Sequence, residues 1–158
     1  MKKILLIAVI LSALSVQHSF AQDIKQSQLS QLLHSYYDIK NALVQGNARL
    51  AGSKAEEFVN IAREINKNDL PDESRNGLLK DVTQISEIKE IVHQREHFAN
   101  FSANMVALAK AVKLTSDPVY IIYCPMKKAS WLSYEKAIKN PYFGTAMLTC
   151  GSIKETLN

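Results

Sequence analysis

Cysteine, proline, glycine and tryptophan are all scarce in this 158-residue chain, which has two Cys, four Pro, five Gly and one Trp. No internal repeat and no low-complexity segment is present. No stretch reaches the roughly 18 uninterrupted apolar residues that a membrane-spanning helix needs. No run of Lys and Arg forms a basic stripe, so nucleic acid is not an expected partner. There is no glycine-rich phosphate loop and no Gly-x-Ser-x-Gly elbow. No pair of carboxylates stands out either, so an enzyme is not expected.

The first 21 residues read as an export signal. Lys2 and Lys3 precede an apolar run from Ile4 to Leu14, and Ser19-Phe20-Ala21 is a small-x-small cleavage site. Cleavage after Ala21 leaves 137 of the 158 residues, enough for one domain with a core, expected over 22–158. Without the two signal lysines the net charge falls from +4 to about +2. The expected location is the periplasm, an oxidising compartment in which two cysteines tend to pair.

Residues 23–114 carry helical periodicity. Leu29, Leu32, Leu33, Tyr36, Leu43 and Val44 recur at spacings of three and four and predict a first helix from Ser27 to Val44. Gly46 supplies the stop, and Asn47 can cap a second helix reaching about Asn66. A third helix is expected from Asp72 to Ile85. The chain from Asp72 to Lys113 is too long for one helix of so small a domain. We therefore expect a break at Thr83 to Ser86, with Ser86 as the N-cap of a fourth helix ending near Lys113. The expected fold is mostly α: an up-down four-helix bundle with a small irregular C-terminal unit, residues 115–158, containing one short strand from Val119 to Tyr123.

The scarce residues collect in that unit. It holds both cysteines, the tryptophan, three of the four prolines and two of the three methionines other than Met1. Cys124 and Met126 face the same way if the backbone stays extended, and Met147 and Cys150 share a face on a helical turn. Two thiols and two thioethers suit a soft ion such as Cu(I) or Ag(I). Lys127 and Lys128 favour the thiolate of Cys124. His97 is a further candidate ligand; it lies four residues after His93, though His93-Gln-Arg-Glu-His97 departs from the metalloprotease pattern His-Glu-x-x-His. A nucleophile made of Cys124 and His97 is conceivable, but an oxidising compartment argues against a free catalytic thiol.

The competing reading is a Cys124–Cys150 disulfide. It closes a loop of about 25 residues and contributes roughly 3–4 kcal/mol in the chain-entropy model. Trp131, Tyr142 and Phe143 then plug the unit onto the helices. Alternatively, the surface formed by Trp131, Asn140, Pro141, Tyr142, Phe143 and Gly144 docks on another exported protein.

The strings Tyr123-Cys-Pro-Met126, Trp131-Leu-Ser133, Asn140-Pro-Tyr-Phe-Gly144 and Met147-Leu-x-Cys-Gly151 together resemble a family of exported bacterial domains of unknown function. Its members occur alone, at the end of adaptor proteins of copper/silver efflux pumps, or near heavy-metal-associated domains. Gln94-Arg95-x-x-Phe98 and the first helix around Tyr36 to Val44 are similar to that family as well. The resemblance implies a helical bundle, a link to heavy-metal handling, and an efflux adaptor or other exported metal-handling protein as partner. Cys-Pro-Met also resembles the start of a short heavy-metal motif in which His commonly follows Met and paired cysteines come later. Here Lys127 takes the His position and only Cys150-Gly151 remains of the later part.

Overall fold

The computed structural model describes residues 27–158. The expected signal peptide and its cleavage site therefore lie outside the described residues. Four helices are followed by a three-stranded antiparallel sheet. They are α1 (27–44), α2 (Ala48–Glu64), α3 (Asp72–Glu87) and α4 (Ile91–Ala111), then β1 (Val119–Cys124), β2 (Ala129–Ser133) and β3 (Ser152–Leu157). The expected helical bundle with a small C-terminal unit is thus the observed architecture.

The junction of α1 and α2 follows from three residues. Gly46 takes φ +71°, and the N–H groups of Gly46 and Asn47 return to the carbonyls of Leu43 and Ala42 at 3.1 and 3.0 Å. This is the left-handed closure that satisfies the last carbonyls of a helix. Asn47 then turns its side chain forward and accepts the Leu50 N–H at 3.0 Å, capping α2. Ile65 is already extended, so α2 stops at Glu64, short of the expected Asn66. The Arg75 guanidinium occupies its end and donates to the carbonyls of Arg63, Ile65 and Leu70.

The break between α3 and α4 falls later than the sequence predicts. Ser86 is not an N-cap; it lies inside α3 and donates back to the Thr83 carbonyl at 2.7 Å. The chain turns at Ile88 to Glu90, and Glu90 precedes α4 without a side-chain cap bond. Gln94 does the satisfying instead. Its buried amide nitrogen donates to the carbonyls of Ile85, Ile88 and Ala48 at 3.0, 2.7 and 2.9 Å, joining α4 to the end of α3 and the start of α2. A carbonyl cluster served by a side chain from the next helix leaves no trace in local periodicity.

The C-terminal unit is more regular than expected. β1 is the middle strand of the order β2-β1-β3. It pairs with β2 from Tyr120–Ser133 to Cys124–Ala129, and with β3 from Val119–Leu157 to Tyr123–Ser152, with a bulge opposite Ile121 and Ile122. β1 was expected. β2 and β3 were not, because β3 is exposed along almost its whole length and shows no apolar alternation.

One core runs through helices and sheet. Tyr36, Phe58, Phe98 and Phe101 stack and cross at its centre. Tyr142 extends the ring series from Phe98 to Trp131. The Tyr36 hydroxyl is bonded to Ser102 of α4 at 2.5 Å and accepts the Leu132 N–H of β2 at 3.1 Å, so it ties α1, α4 and the sheet at one atom.

Candidate functional site

The two thiols meet at one end of the sheet. Cys124 is the last residue of the central strand and is buried, whereas Cys150 is half-buried on the segment entering β3. Their sulfurs lie 3.4 Å apart and both thiols are free. A covalent bridge holds its sulfurs at about 2.05 Å, so the expected disulfide is not formed in this structure. The hairpin that follows Cys124 folds back tightly. The Lys128 N–H reaches the Cys124 carbonyl at 2.8 Å, and Lys128 takes φ +56°.

That turn aims backbone donors at the Cys124 sulfur. Burial acts to raise the Cys124 thiol. The Lys127 backbone N–H, the Cys150 thiol, the Asn140 amide and the Met126 N–H outweigh it and hold the thiol below its ordinary value. Lys127 therefore contributes through its main chain rather than through its ammonium. Cys150 moves the other way. Its hydrogen bond to Cys124 comes first, then burial and the charge of the neighbouring sulfur, all raising it against the Met126 N–H. Such a pair loses its first proton readily and its second reluctantly.

Asn140 is the residue that fixes this geometry, and the sequence reading had placed it on a surface. It is fully buried. Its Nδ2 donates to the Cys150 carbonyl at 2.7 Å, and its Oδ1 accepts the Tyr142 N–H at 2.8 Å and the Phe143 N–H at 3.3 Å. Its backbone N–H reaches the Leu148 carbonyl at 2.8 Å. One side chain thus sets the turn of residues 140–144 and holds the strand entrance that carries Cys150.

The expected docking face of Trp131 and Asn140 to Gly144 is corrected by burial. Trp131, Asn140, Pro141, Tyr142 and Gly144 are all inside, and Phe143 is half-buried. They form the plug instead. Trp131 meets Tyr142 edge-on at 5.9 Å, and the Tyr142 hydroxyl donates to the Ser130 carbonyl at 2.6 Å. Gly144 has φ +55°, and a Cβ there would strike the Arg95 guanidinium, which donates to the Leu43 carbonyl at the end of α1. Gly151 lets the chain cross the face of Trp131, where a Cβ would come within 2.7 Å of the indole.

The other expected ligands are distributed unevenly. Met126 is 65% exposed beside Cys124, and Met147 is 36% exposed, with its carbonyl accepting the Cys150 N–H at 3.0 Å. His97 is elsewhere engaged: its Nδ1 lies 3.3 Å from Asp81 of α3. Among the described residues no three His, Cys, Asp or Glu side chains gather as a metal site, so His97 does not join the two cysteines.

One buried ionisable group escaped the sequence reading. Lys40 of α1 is fully buried with its ammonium 5.3 Å from the Tyr134 ring centroid and 6.0 Å from that of Tyr37. Burial pushes its amine down to about 8, with Glu135 opposing and Lys139 assisting. Its place four residues after Tyr36, on the apolar face, was a visible signal.

No helix among the described residues is long and apolar enough to cross a membrane. No curated protein and no solved structure matches the chain. Residues 32–117, more than half of the chain and its helical part, match the model of the family described as protein of unknown function (DUF3347), and the chain belongs to that family.

Proposed function

We propose that this protein is a periplasmic binding module for a soft monovalent ion, Cu(I) or Ag(I), in which Cys124 and Cys150 supply the principal donors and Met126 and Met147 the auxiliary ones. The observation that carries the reading is the approach of two free thiols to 3.4 Å, flanked on both segments by exposed thioethers. Thiolate and thioether are soft donors that favour Cu(I) and Ag(I) over hard ions such as magnesium or calcium. The electrostatics support it as well, because a thiol held below its ordinary value by neighbouring N–H donors gives up its proton to a metal more readily. Exposed methionines on the segments that carry the two thiols give an incoming ion its first contact and a route inward by ligand exchange. The resemblance of the Cys-Pro-Met and Met-Leu-x-Cys-Gly strings to domains at the end of copper/silver efflux adaptors supports an exported metal-handling partner.

The test is a competition for Cu(I) between the reduced protein and a coloured Cu(I) chelator under anaerobic conditions. Replacing both cysteines by Ser is expected to abolish competition. Replacing Met126 and Met147 by Leu is expected to weaken it on the order of tenfold, about 1.4 kcal/mol. Unchanged affinity after replacement of all four sulfur residues would remove this reading.

A further inference from the structure

Cys124 and Cys150 are close together but unequal in access. Cys124 ends the central strand inside the core, while Cys150 is half-buried on the segment leading into the exposed strand β3. A bridge that served only as a staple has no need of an accessible sulfur. A pair that reacts with another protein does, and it needs only one, with the second waiting behind it. We propose that Cys124 and Cys150 form a dithiol–disulfide exchange couple. Cys150 is the thiol that attacks an accessible disulfide of a second exported protein, and Cys124 is the thiol that resolves the mixed disulfide.

The steps balance without any other reactant. The Cys150 thiol passes its proton to the Cys124 thiolate 3.4 Å away and attacks one sulfur of the partner's disulfide. The partner's S–S bond breaks, a Cys150–partner disulfide forms, and the partner's other sulfur leaves as a thiolate that takes up a proton. The Cys124 sulfur gives up its proton in turn and attacks the Cys150 sulfur. The mixed disulfide breaks, the Cys124–Cys150 bond forms, and the second partner sulfur leaves and is protonated. The partner's disulfide is reduced by two electrons and this pair is oxidised by two. Run backwards, the same steps oxidise a partner dithiol.

Three features of the fold fit this order. The resolving sulfur already stands 3.4 Å from the one it must attack, so no loop has to close before the second step. Burial of Cys124 keeps the partner's disulfide from reacting there first. The frame around the pair is stiff: Asn140 holds the Cys150 carbonyl, the Lys128 N–H closes the turn after Cys124, and the indole of Trp131 backs Gly151. The exchange goes beyond metal binding and does not depend on it.

An aromatic disulfide that releases a coloured thiolate tests it, with a copper chelator present throughout and intact mass measured at the end. The wild-type chain should release two equivalents of thiolate and finish unlabelled and two hydrogens lighter. Its second release should be independent of probe concentration. Cys124→Ser should stop at one equivalent and keep the probe on Cys150. Cys150→Ser should react at least about tenfold more slowly than Cys124→Ser, because its remaining thiol is buried. Circular dichroism checks that each variant is folded, and Cys150→Ala replaces Cys150→Ser if the hydroxyl disturbs the site. A wild-type chain that ends with two probe adducts, or equal rates in the two single variants, overturns the exchange couple. Loss of exchange with Cu(I) competition retained overturns this inference alone, whereas exchange without Cu(I) competition overturns the metal reading alone.

Discussion

The helices and the C-terminal unit are held by different means. Between α1 and α4 the chain is joined mainly by apolar stripes, such as Ala51, Ala55, Phe58, Val59 and Ala62 on α2, or Leu78, Val82 and Ile85 on α3, with the Gln94 amide as the directional tie at the α3–α4 turn. The sheet and its loops depend on a few buried polar atoms: the Asn140 amide, the Tyr142 hydroxyl and the Tyr36 hydroxyl that reaches in from α1. Apolar packing tolerates small shifts because it has no direction. Hydrogen bonds to a buried amide do not, since each broken one leaves an unsatisfied group costing about 1–3 kcal/mol. The directional scaffold lies where the two sulfurs stand 3.4 Å apart. The nondirectional one lies where only bulk support is required.

The sharpest challenge to this contrast is whether the two regions unfold together. Trp131 is fully buried and belongs to the same core as the helices. Trp131→Ala is expected to lower stability by about 3–5 kcal/mol. Urea unfolding followed by far-ultraviolet circular dichroism should still show one transition, moved to lower denaturant. Two separated transitions, with the helical one unmoved, would mean that the unit merely rests on the bundle.

How much of this could be read from the sequence follows the same division. The helices were legible because a 3.6-residue period repeats over many turns, and Gly46-Asn47 announces the α1–α2 junction in its own chemistry. The α3–α4 break was misplaced because its decisive residue, Gln94, acts on carbonyls of two other segments. The scarce sulfur residues pointed to the site, and Cys124 and Cys150 do come together. Their inequality was not visible, because it depends on which residue ends a strand and which one precedes another. Asn140 makes the turn of residues 140–144, yet its bond to the Cys150 carbonyl spans ten residues and exists only in the folded chain. β3 was missed because a strand exposed on both faces carries no alternation.

Lys40 breaks the pattern of the helical region, and removing it should sharpen the comparison. It is an ammonium inside an apolar stripe, with Tyr37 and Tyr134 rings beside it and Glu135 and Lys139 as the charges that act on it. Its folded value of about 8 lies below the value of about 10.5 for a free lysine. Between those limits the unfolded chain binds a proton that the folded chain lacks, so folding stability rises with pH through this window. Below pH 8 the full cost remains. Above about pH 10 the buried tyrosines oppose the trend, since burial holds Tyr36, Tyr37 and Tyr142 above their ordinary value and the unfolded chain ionises first. Lys40→Met is expected to stabilise the protein at pH 7 by about 2–3 kcal/mol and to flatten the rise between pH 8 and 10. Chemical denaturation at a series of pH values reads both effects. A destabilised variant with the slope intact would show that the aromatic contacts outweigh the cost of burying the charge.

The smallest expected effect concerns the boundary between the regions. His97 was a candidate ligand by spacing, but it stands at 3.3 Å from Asp81, in a contact between α3 and α4 that is one-third exposed on the histidine side. If the bundle only supports the site, exchanging this histidine for another donor should leave the sulfurs undisturbed. His97→Gln keeps an N–H for Asp81, and its stability should stay within about 0.5 kcal/mol of wild type. Cu(I) competition should be unchanged, and so should the rate at which Cys150 takes up a disulfide probe. A tenfold loss of Cu(I) affinity in a variant of unaltered stability would return His97 to the ligand set. It would also mean that α4 reaches the sulfur pair when an ion is bound, so that the division between supporting helices and a self-contained sulfur site would fail where it is weakest.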